Sequence, residues 1–252
     1  MTIVSMPSQP PRWPSPPADL GLPDNEVHVW RAGLDLQPAR LEQFHRVLSE
    51  DERAKAARFH FPKDRDHYIA ARGFLRTLLG RYLALEPARI QFCYNQYGKP
   101  SLTLDSAQTR VRFNLAHSHG LALFAFNRGR EIGIDLEWMR PDRATGEIAD
   151  RFFAPAEAAA LRALPGEIRT RAFFNCWTRK EAFIKGRGLG LFLALDQFVV
   201  TLVPGETAAL VSAADDPDAP NRWSLRELEA ADGYAAAVAV EGRGCELRIY
   251  DL

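Results

Sequence analysis

The chain has 252 residues, of which 46% are apolar and 25% charged, and its formal net charge at pH 7 is zero. This composition excludes a wholly disordered chain, because disordered chains lack the apolar residues that offset ordering entropy. Zero net charge argues against a non-specific nucleic-acid binder, and without a run of about 18 apolar residues we expect no membrane span. Three widely spaced cysteines and an N-terminus without a secretory signal predict a soluble, cytoplasmic protein.

The charges are distributed unevenly between the two halves. Residues 1–134 contain 18 Lys and Arg against 13 Asp and Glu, whereas residues 135–252 contain 14 against 19. This asymmetry suggests that the N-terminal half can hold an anion and that the C-terminal half supplies carboxylates.

The first part of the chain changes from a tail to ordered elements. Residues 1–24 are rich in Pro and Ser, with Trp13 as their only aromatic residue, which predicts a flexible or extended tail. The elements that follow are predicted from alternation, capping and helical spacing: a strand over 26–30, a helix after the N-cap Ser49 with Glu52 at the capping-box position, and a helix over 64–83.

The remainder of the chain alternates between groups of strands and groups of helices. The predicted strands are 90–94, 111–115, 121–127, 132–135 as a hairpin partner of the strand before it, 198–202, 223–228, 234–240 and 246–250. The predicted helices are 154–164 and 168–185. This order predicts an α+β fold with an N-terminal half over 25–131 and a similar C-terminal half over 132–252.

A D-x-E sequence in an expected strand is the first candidate for chemistry. Side chains at i and i+2 of a strand point to the same side, so Asp135 and Glu137 would present two carboxylates together. Paired carboxylates with phosphate oxygens suit Mg²⁺. Taken alone, the pair fits equally well the solvated face of an edge strand.

The long predicted helix carries a second candidate. Glu181 and Lys185 are four residues apart and share one helix face. An exposed pair of this kind is usually a weak surface ion pair. Close to Asp135 and Glu137, however, Glu181 would complete a set of oxygen ligands and Lys185 could meet a phosphate.

Two further motifs have simpler explanations. His117 and His119 lie at a strand end, but zinc needs another nitrogen or sulfur ligand and no cysteine is near in sequence. A histidine beside a phosphate or a structural histidine is the better interpretation. The glycines at 186, 188 and 190 follow a helix, which indicates a helix C-cap and a turn rather than a phosphate loop.

The order of these motifs is more specific than any one of them. Gly98-Lys99-Pro100 is followed by the segment 113–118, by the G-I-D-L-E run 133–137 and by W-T-R-K-E-A-F-I-K over 177–185. This series closely resembles the Sfp-type 4′-phosphopantetheinyl transferases, and the resemblance covers about residues 26–240.

The resemblance implies a reaction and an architecture. These enzymes move the phosphopantetheine arm of coenzyme A onto a serine hydroxyl of an apo carrier protein, with Mg²⁺, and release 3′,5′-ADP. Their fold is a pseudo-dimer of two α+β halves with coenzyme A between them. It implies a working monomer, with coenzyme A and a carrier protein as partners and neither nucleic acid nor membrane.

The resemblance also implies roles for individual residues. By motif position, Asp135, Glu137 and Glu181 would bind Mg²⁺. Glu181 would also be the general base for the carrier serine, and Lys185 would contact the phosphate and help the leaving group. The remaining candidates would bind coenzyme A, namely Lys55, Arg72, Lys99, His117 and Lys180, of which Arg72 is suggested by charge and placement only.

Two departures from the family pattern affect the 3′-phosphate site. Ala116 stands where relatives often have Ser, and Glu52 where some have a basic residue, so affinity for coenzyme A is expected to be modest. The alternatives to a transferase are a non-catalytic module of the same fold that binds coenzyme A or a carrier protein, and a structural two-domain protein. Carrier recognition would use exposed apolar side chains near the cleft, such as Phe152, Phe153 or Phe192, for which a place in the core is an equal alternative.

Overall fold

The computed structural model describes residues 13–18, 20–103, 110–144 and 146–252. Its strands are β1 (Glu26–Gly33), β2 (Phe92–Tyr94), β3 (Pro100–Leu102), β4 (Val111–Ser118), β5 (Leu121–Arg128), β6 (Ile132–Trp138), β7 (Phe198–Val200), β8 (Leu210–Ala213), β9 (Trp223–Glu227), β10 (Tyr234–Glu241) and β11 (Glu246–Asp251). Its helices are α1 (Pro38–Val47), α2 (Glu50–Ala56), α3 (Pro62–Leu83), α4 (Gly146–Phe152), α5 (Pro155–Ala163), α6 (Gly166–Arg187) and α7 (Ala219–Arg222). The predicted α+β class is confirmed. None of the described helices combines the length and apolar character needed to cross a bilayer.

The N-terminal sheet contains four strands in the order β11, β1, β5, β4. β5 is antiparallel to both of its neighbours, whereas β11 runs parallel to β1. Successive side chains of β5 point to opposite faces, so Ala122, Phe124 and Phe126 pack with α1 and α3, while Leu123 and Ala125 join a second apolar cluster. The sheet is therefore buried on both faces.

The C-terminal sheet is antiparallel, in the order β6, β10, β9. On one face of β10, Ala235, Ala237 and Ala239 belong to the apolar cluster that includes α6. On the other face, Val238 and Val240 belong to the cluster shared with the N-terminal sheet. The small alanine side chains let α6 lie close to the sheet.

A shared apolar cluster, called the seam below, joins the two halves. It contains Val29 and Leu123 from the N-terminal sheet and Ile134 and Val238 from the C-terminal sheet, all at most 2% exposed. A cluster that draws on both sheets is consistent with the predicted pseudo-dimer of two α+β halves.

One predicted strand pairing is wrong, and one strand pairs across the predicted border between the halves. The sequence predicts a hairpin of 132–135 with 121–127, but β5 pairs with β1 and β4, and β6 pairs with β10. The sequence also places the strand 246–250 in the C-terminal half, but β11 pairs with β1 in the N-terminal sheet. Both differences have the same cause, because strand partners are chosen by long-range packing that local sequence periodicity does not encode.

The predicted Pro-rich tail begins outside the described residues, and its described part has no helix or strand but packs against the folded chain. Trp13 is 6% exposed, and its indole N–H donates to the Glu229 carbonyl at 2.9 Å. The Arg31 guanidinium lies 5.0 Å from the Trp13 ring centre. The Pro14 carbonyl accepts a hydrogen bond from the Asp251 N–H at 3.0 Å. Burial of one large aromatic ring thus fixes this segment to the seam.

Candidate active site

Asp135 and Glu137 lie on the face of β6 that is turned away from the seam. Ile134 and Leu136, which alternate with them, point into the seam. The carboxylate pair therefore projects on the α6 side of the sheet, as the period of two residues predicts. Asp135 is 3% exposed and Glu137 is half-buried.

A glycine in β6 allows α6 to approach the strand backbone closely. A Cβ atom at Gly133 would lie 2.1 Å from the Ala182 carbonyl oxygen and 2.2 Å from the Gly186 nitrogen. No side chain fits at such distances, so any residue other than glycine would push the helix away. The close approach brings Glu181 and Lys185 of α6 to the carboxylates of β6.

Lys185 forms the central contact of this cluster. Its Nζ donates to Asp135 Oδ1 at 2.6 Å. The second oxygen, Asp135 Oδ2, is buried and has no hydrogen-bond partner among the described residues. Glu181 and Glu137 also act electrostatically on Lys185. Asp135 therefore contacts the ammonium directly, and the other two carboxylates act on it through their charges.

The pKa values of the cluster reflect this excess of negative charge. Burial, helped by the charge of Asp135, raises the pKa of Glu137 to about 6. The same two causes raise the pKa of Glu181. Burial by itself would lower the pKa of Lys185, but the surrounding carboxylates, Asp135 first, outweigh it and raise that pKa. An additional cation would relieve the repulsion among these groups.

The residues present suit a divalent cation in their chemistry. Carboxylate oxygens are the ligands that Mg²⁺ prefers, and the unpartnered Asp135 Oδ2 is a buried acceptor without a donor. In the arrangement seen across the described ranges, no three His, Cys, Asp or Glu side chains already form a metal cage. The ammonium of Lys185 occupies Asp135 Oδ1 instead. The donor set and the unpartnered oxygen, rather than a preformed cage, support a metal here.

A cleft of about 460 Å³ opens beside Glu137. Both halves contribute to it, since Ser118 and His119 come from β4 and the turn after it, and Trp138 comes from the end of β6. The opposite wall consists of aromatic residues of α6, with two arginines at the rim: Phe173, Phe174, Trp177, Arg140 and Arg143. Sequence reasoning missed Ser118, although it lies within the quoted segment 113–118.

His117 lines a second groove, of about 450 Å³, next to this cleft. Its walls include Lys63, His67 and Tyr68 of α3. The Lys55 ammonium lies 5.4 Å from the Tyr68 ring centre, so it belongs to the same surface. Desolvation, and then the charge of Lys185, lower the pKa of His117. The structure thus brings together two of the predicted coenzyme A residues, Lys55 and His117.

Lys99 lies elsewhere and is already paired. Its Nζ donates to Glu131 Oε2 and to the Gly186 carbonyl, both at 2.7 Å. Burial lowers the pKa of Lys99, against the effect of Glu131. The groove that it lines also contains Tyr97 and Lys185, not His117. Lys99 therefore links the β2–β3 turn to the end of α6.

The structure contradicts the prediction that Arg72 binds coenzyme A. Arg72 is 7% exposed, its Nε donates to Glu52 at 2.6 Å, and its guanidinium lies 4.4 Å from the Phe92 ring centre. Arg76 donates to the same Glu52 carboxylate at 2.6 Å. Glu52 is therefore a buried partner of two arginines and does not face a ligand site. A helical pattern cannot reveal this, because the carboxylate that captures Arg72 is twenty residues away.

Lys180 is also misassigned by sequence reasoning. It is 0% exposed, and its ammonium pairs with Glu157 at 2.7 Å and donates to the Leu195 carbonyl at 2.7 Å. Glu157 additionally accepts two backbone N–H groups. An ammonium that is fully enclosed by these acceptors cannot line a coenzyme A site, so Lys180 fastens α6 to the segment beneath it.

Comparison with known protein families places these motifs in context. The model of the 4′-phosphopantetheinyl transferase superfamily matches residues 131–239. The model described as 4′-phosphopantetheinyl transferase, N-terminal, matches residues 35–128. The border between the two matches coincides with the passage from the N-terminal to the C-terminal sheet.

Individual relatives are similar over most of the chain. The 4′-phosphopantetheinyl transferase HetI of a Nostoc species is 42% identical, over 94% of this chain and 97% of its own length. The putative 4′-phosphopantetheinyl transferase slr0495 of a Synechocystis species is 37% identical, over 72% of each chain. The 4′-phosphopantetheinyl transferase Sfp of Bacillus subtilis is 32% identical, over 78% of this chain and 84% of its own.

Proposed function

This chain belongs to the 4′-phosphopantetheinyl transferase superfamily and is an enzyme that transfers phosphopantetheine to carrier proteins, and we propose that Asp135, Glu137 and Glu181 form its Mg²⁺-binding active site. The observation that carries this proposal is the cluster of three carboxylates around Lys185, with one buried carboxylate oxygen unpartnered. It lies beside a cleft to which both halves contribute.

The reaction needs positive charge next to the pyrophosphate of coenzyme A. When bound, Mg²⁺ would reduce the repulsion between the phosphate oxygens and an incoming nucleophile. Lys185 supplies a second positive group, held at 2.6 Å from Asp135. Its ammonium contacts a phosphate oxygen and stabilises the charge of the leaving group.

Glu181 accepts the proton of the carrier serine. The serine oxygen forms a bond to the phosphorus that bears pantetheine, and the bond from that phosphorus to the bridging oxygen breaks, which releases 3′,5′-ADP. Without a metal, burial and the charge of Asp135 raise the pKa of Glu181, whereas bound Mg²⁺ would lower it, so Glu181 would be ionised at neutral pH and ready to accept the proton.

His117 and Lys55 hold the 3′-phosphate end of coenzyme A. They line one surface of the N-terminal half, beside the cleft. The Lys99 ammonium is already paired with Glu131 and the Gly186 carbonyl. Lys99 therefore contributes to the site by holding the β2–β3 turn in position. The two departures expected to weaken the 3′-phosphate site do not face this surface, because Ala116 is buried in the seam and Glu52 is enclosed by arginines.

The carrier protein approaches the cleft from the side of Phe152, which is 37% exposed and packs against Trp177 of the cleft. Phe192, 81% exposed, packs instead against Tyr97 at the Lys99 groove, and Phe153 is buried in the core. One chain supplies both walls of the cleft, so the proposed working unit is a monomer.

The proposal is tested by intact-mass spectrometry of an apo carrier protein incubated with this protein, coenzyme A and Mg²⁺. We expect a gain of one phosphopantetheine with the wild type, and none with EDTA or with Glu181→Gln. Glu167→Gln, at an exposed glutamate of the same helix, is the matched control and should retain full activity. Modification that continues in EDTA would overturn the metal assignment, and full activity of Glu181→Gln would overturn its role as base.

A further inference from the structure

Strands β4 and β6 belong to different sheets, but two backbone N–H groups of β6 donate to side chains of β4. The Ile134 N–H donates to Asn114 Oδ1 at 2.9 Å, and the Trp138 N–H donates to Ser118 Oγ at 3.0 Å. In each bond, a backbone N–H of β6 has its acceptor on β4, as it would have if the two strands were paired in one sheet. The two bonds lie at either end of the segment that carries the β6 carboxylates.

Of these two side chains, Ser118 also contacts a carboxylate of the active site. Its hydroxyl donates to Glu137 Oε2 at 3.1 Å. A hydroxyl has a single donor hydrogen. Because the Ser118 oxygen already accepts the Trp138 N–H, that hydrogen is free to point at Glu137.

The position of Ser118 is fixed by the turn that follows it. His119 and Gly120 connect β4 to β5 with φ values of 46° and 85°, and two positive φ values are typical of a tight type I′ hairpin turn. The His119 ring stacks on Trp138 with ring centres 5.0 Å apart, and the Tyr234 hydroxyl donates to the His119 carbonyl at 2.8 Å. Residues of the C-terminal half thus hold the turn in place.

We propose that Ser118 is a positioning residue, which orients the Glu137 carboxylate for metal binding and ties it to the strand that carries His117. This inference rests on the proposed function, in which Glu137 is an Mg²⁺ ligand. Hydrogen bonds to a ligating carboxylate fix its direction, and the loss of such an outer partner typically costs 10–100-fold in metal affinity or activity.

The arrangement links the two ends of the substrate site. His117 and Ser118 are adjacent on β4, so their side chains point to opposite sides of the strand. β4 therefore carries the proposed coenzyme A contact His117 on one side and, on the other, Ser118, which orients a proposed metal ligand.

The experiment is a calorimetric titration of Mg²⁺ into the full-length protein with coenzyme A and without carrier protein. We expect Ser118→Ala to raise the Mg²⁺ dissociation constant by about tenfold. Ser118→Thr keeps a hydroxyl and should stay within about threefold of the wild type. Asn114→Ala is the matched control, because it removes the other bond between the strands but no contact to a carboxylate. It should lower the melting temperature and leave Mg²⁺ binding within about threefold.

A double mutant separates a positioning role from a general structural one. If Ser118 acts through Glu137, Ser118→Ala should not weaken Mg²⁺ binding further in a Glu137→Gln protein. An equal weakening in both backgrounds, or equal effects of Ser118→Ala and Asn114→Ala, would overturn the proposal. Absence of Mg²⁺ binding by the wild type would instead overturn the metal role in the proposed function, and this inference with it. Should Ser118→Ala fail to fold, Ser118→Cys carries the same expectation, because a thiol is only a weak donor.

Discussion

Two ionic clusters, one in each half, have opposite charge balance. In the N-terminal half, the Glu52 carboxylate is enclosed by Arg72 and Arg76, each of which donates to it at 2.6 Å. In the C-terminal half, the carboxylates around Lys185 outnumber their single cation, and Asp135 Oδ2 has no partner among the described residues.

The difference shows how a structural ion pair is distinguished from a reactive cluster. In the first cluster cations outnumber the carboxylate, and Arg76 directs its remaining donors to the Pro87 and Ile90 carbonyls. This cluster is closed to a further cation, because it already has an excess of positive charge and its buried Arg72 Nη2 has no hydrogen-bond partner among the described residues. The second cluster retains net negative charge in a half-buried place, and this favours the arrival of an external cation.

The largest expected effect comes from two adjacent residues of α6. Lys180→Met should lower the free energy of unfolding by about 3–5 kcal/mol, because it leaves the buried Glu157 carboxylate unpaired. Glu181→Gln should leave that free energy unchanged or slightly higher, since it removes repulsion from Asp135. Urea unfolding of the two variants measures the contrast. A stable Lys180→Met protein would show that the Lys180–Glu157 pair has no structural role.

The closed cluster of the N-terminal half should be important for stability and not for chemistry. Glu52→Gln removes the charge between two arginines, and we expect a loss of about 3 kcal/mol in the free energy of unfolding. Carrier modification by the folded fraction, measured well below the melting temperature, should stay within about threefold of the wild type. A specific loss of coenzyme A binding would instead place Glu52 in the substrate site.

The carboxylate cluster around Lys185 should be important for the reaction rate and much less for stability. Asp135→Asn should reduce the rate of carrier modification more than about 100-fold, or about 2.7 kcal/mol in activation free energy, since even loss of an outer partner of a metal ligand costs 10–100-fold. Its free energy of unfolding should fall less than that of Lys180→Met, because loss of the ion pair with Lys185 is offset by relief of the repulsion that Asp135 exerts on Glu137 and Glu181. Rates and urea unfolding of the same preparation test both statements.

The smallest expected effect is a pH dependence of stability that arises away from the active site. Burial lowers the pKa of His28 from 6.5, against the hydrogen bond and charge of Glu26 and together with the charge of Arg248, while Tyr82 and Tyr250 complete its surroundings. The folded protein therefore binds this proton less readily than the unfolded chain. Stability should fall as the pH drops below about 6.5, by at most about 1.4 kcal/mol per pH unit.

The comparison that isolates this proton is His28→Gln. Urea unfolding between about pH 5 and 7.5 should show a flatter dependence in the variant than in the wild type. If the free energy of unfolding depends on pH equally in both proteins, groups other than His28 cause the dependence. Because the hydrogen bond to His28 is the largest cause of the lowered Glu26 pKa, the variant returns that pKa toward 4.5, and the two slopes are compared in the upper part of this range.

Local sequence patterns were sufficient to predict many of the helices and strands and the placement of the two β6 carboxylates. Helical spacing predicted 64–83, and the structure has a helix over Pro62–Leu83. The period of two residues correctly placed Asp135 and Glu137 on one side of β6, and the capping box at Ser49 and Glu52 is present. These features depend on residues a few positions apart, and sequence spacing describes them directly.

Partners that are distant in sequence were not predictable in the same way. Lys180 and Arg72 are cationic residues on helices, as a ligand-binding residue would be, but each is paired with a carboxylate more than fifteen residues away. The ordered position of Trp13 depends on Glu229 and Arg31, which come from both halves. Spacing identifies the face of an element, whereas the group that meets this face is decided by tertiary packing.

The parallel pairing of β1 with β11 has a consequence for synthesis of the chain. The ribosome delivers β1 about 220 residues before its partner Glu246–Asp251, as the pairing of Glu26 with Glu246 shows. Until β11 emerges, the nascent N-terminal half carries an open strand edge, which can pair with another chain. Synthesis of β11, rather than emergence of the first half, is therefore the step that completes the N-terminal sheet.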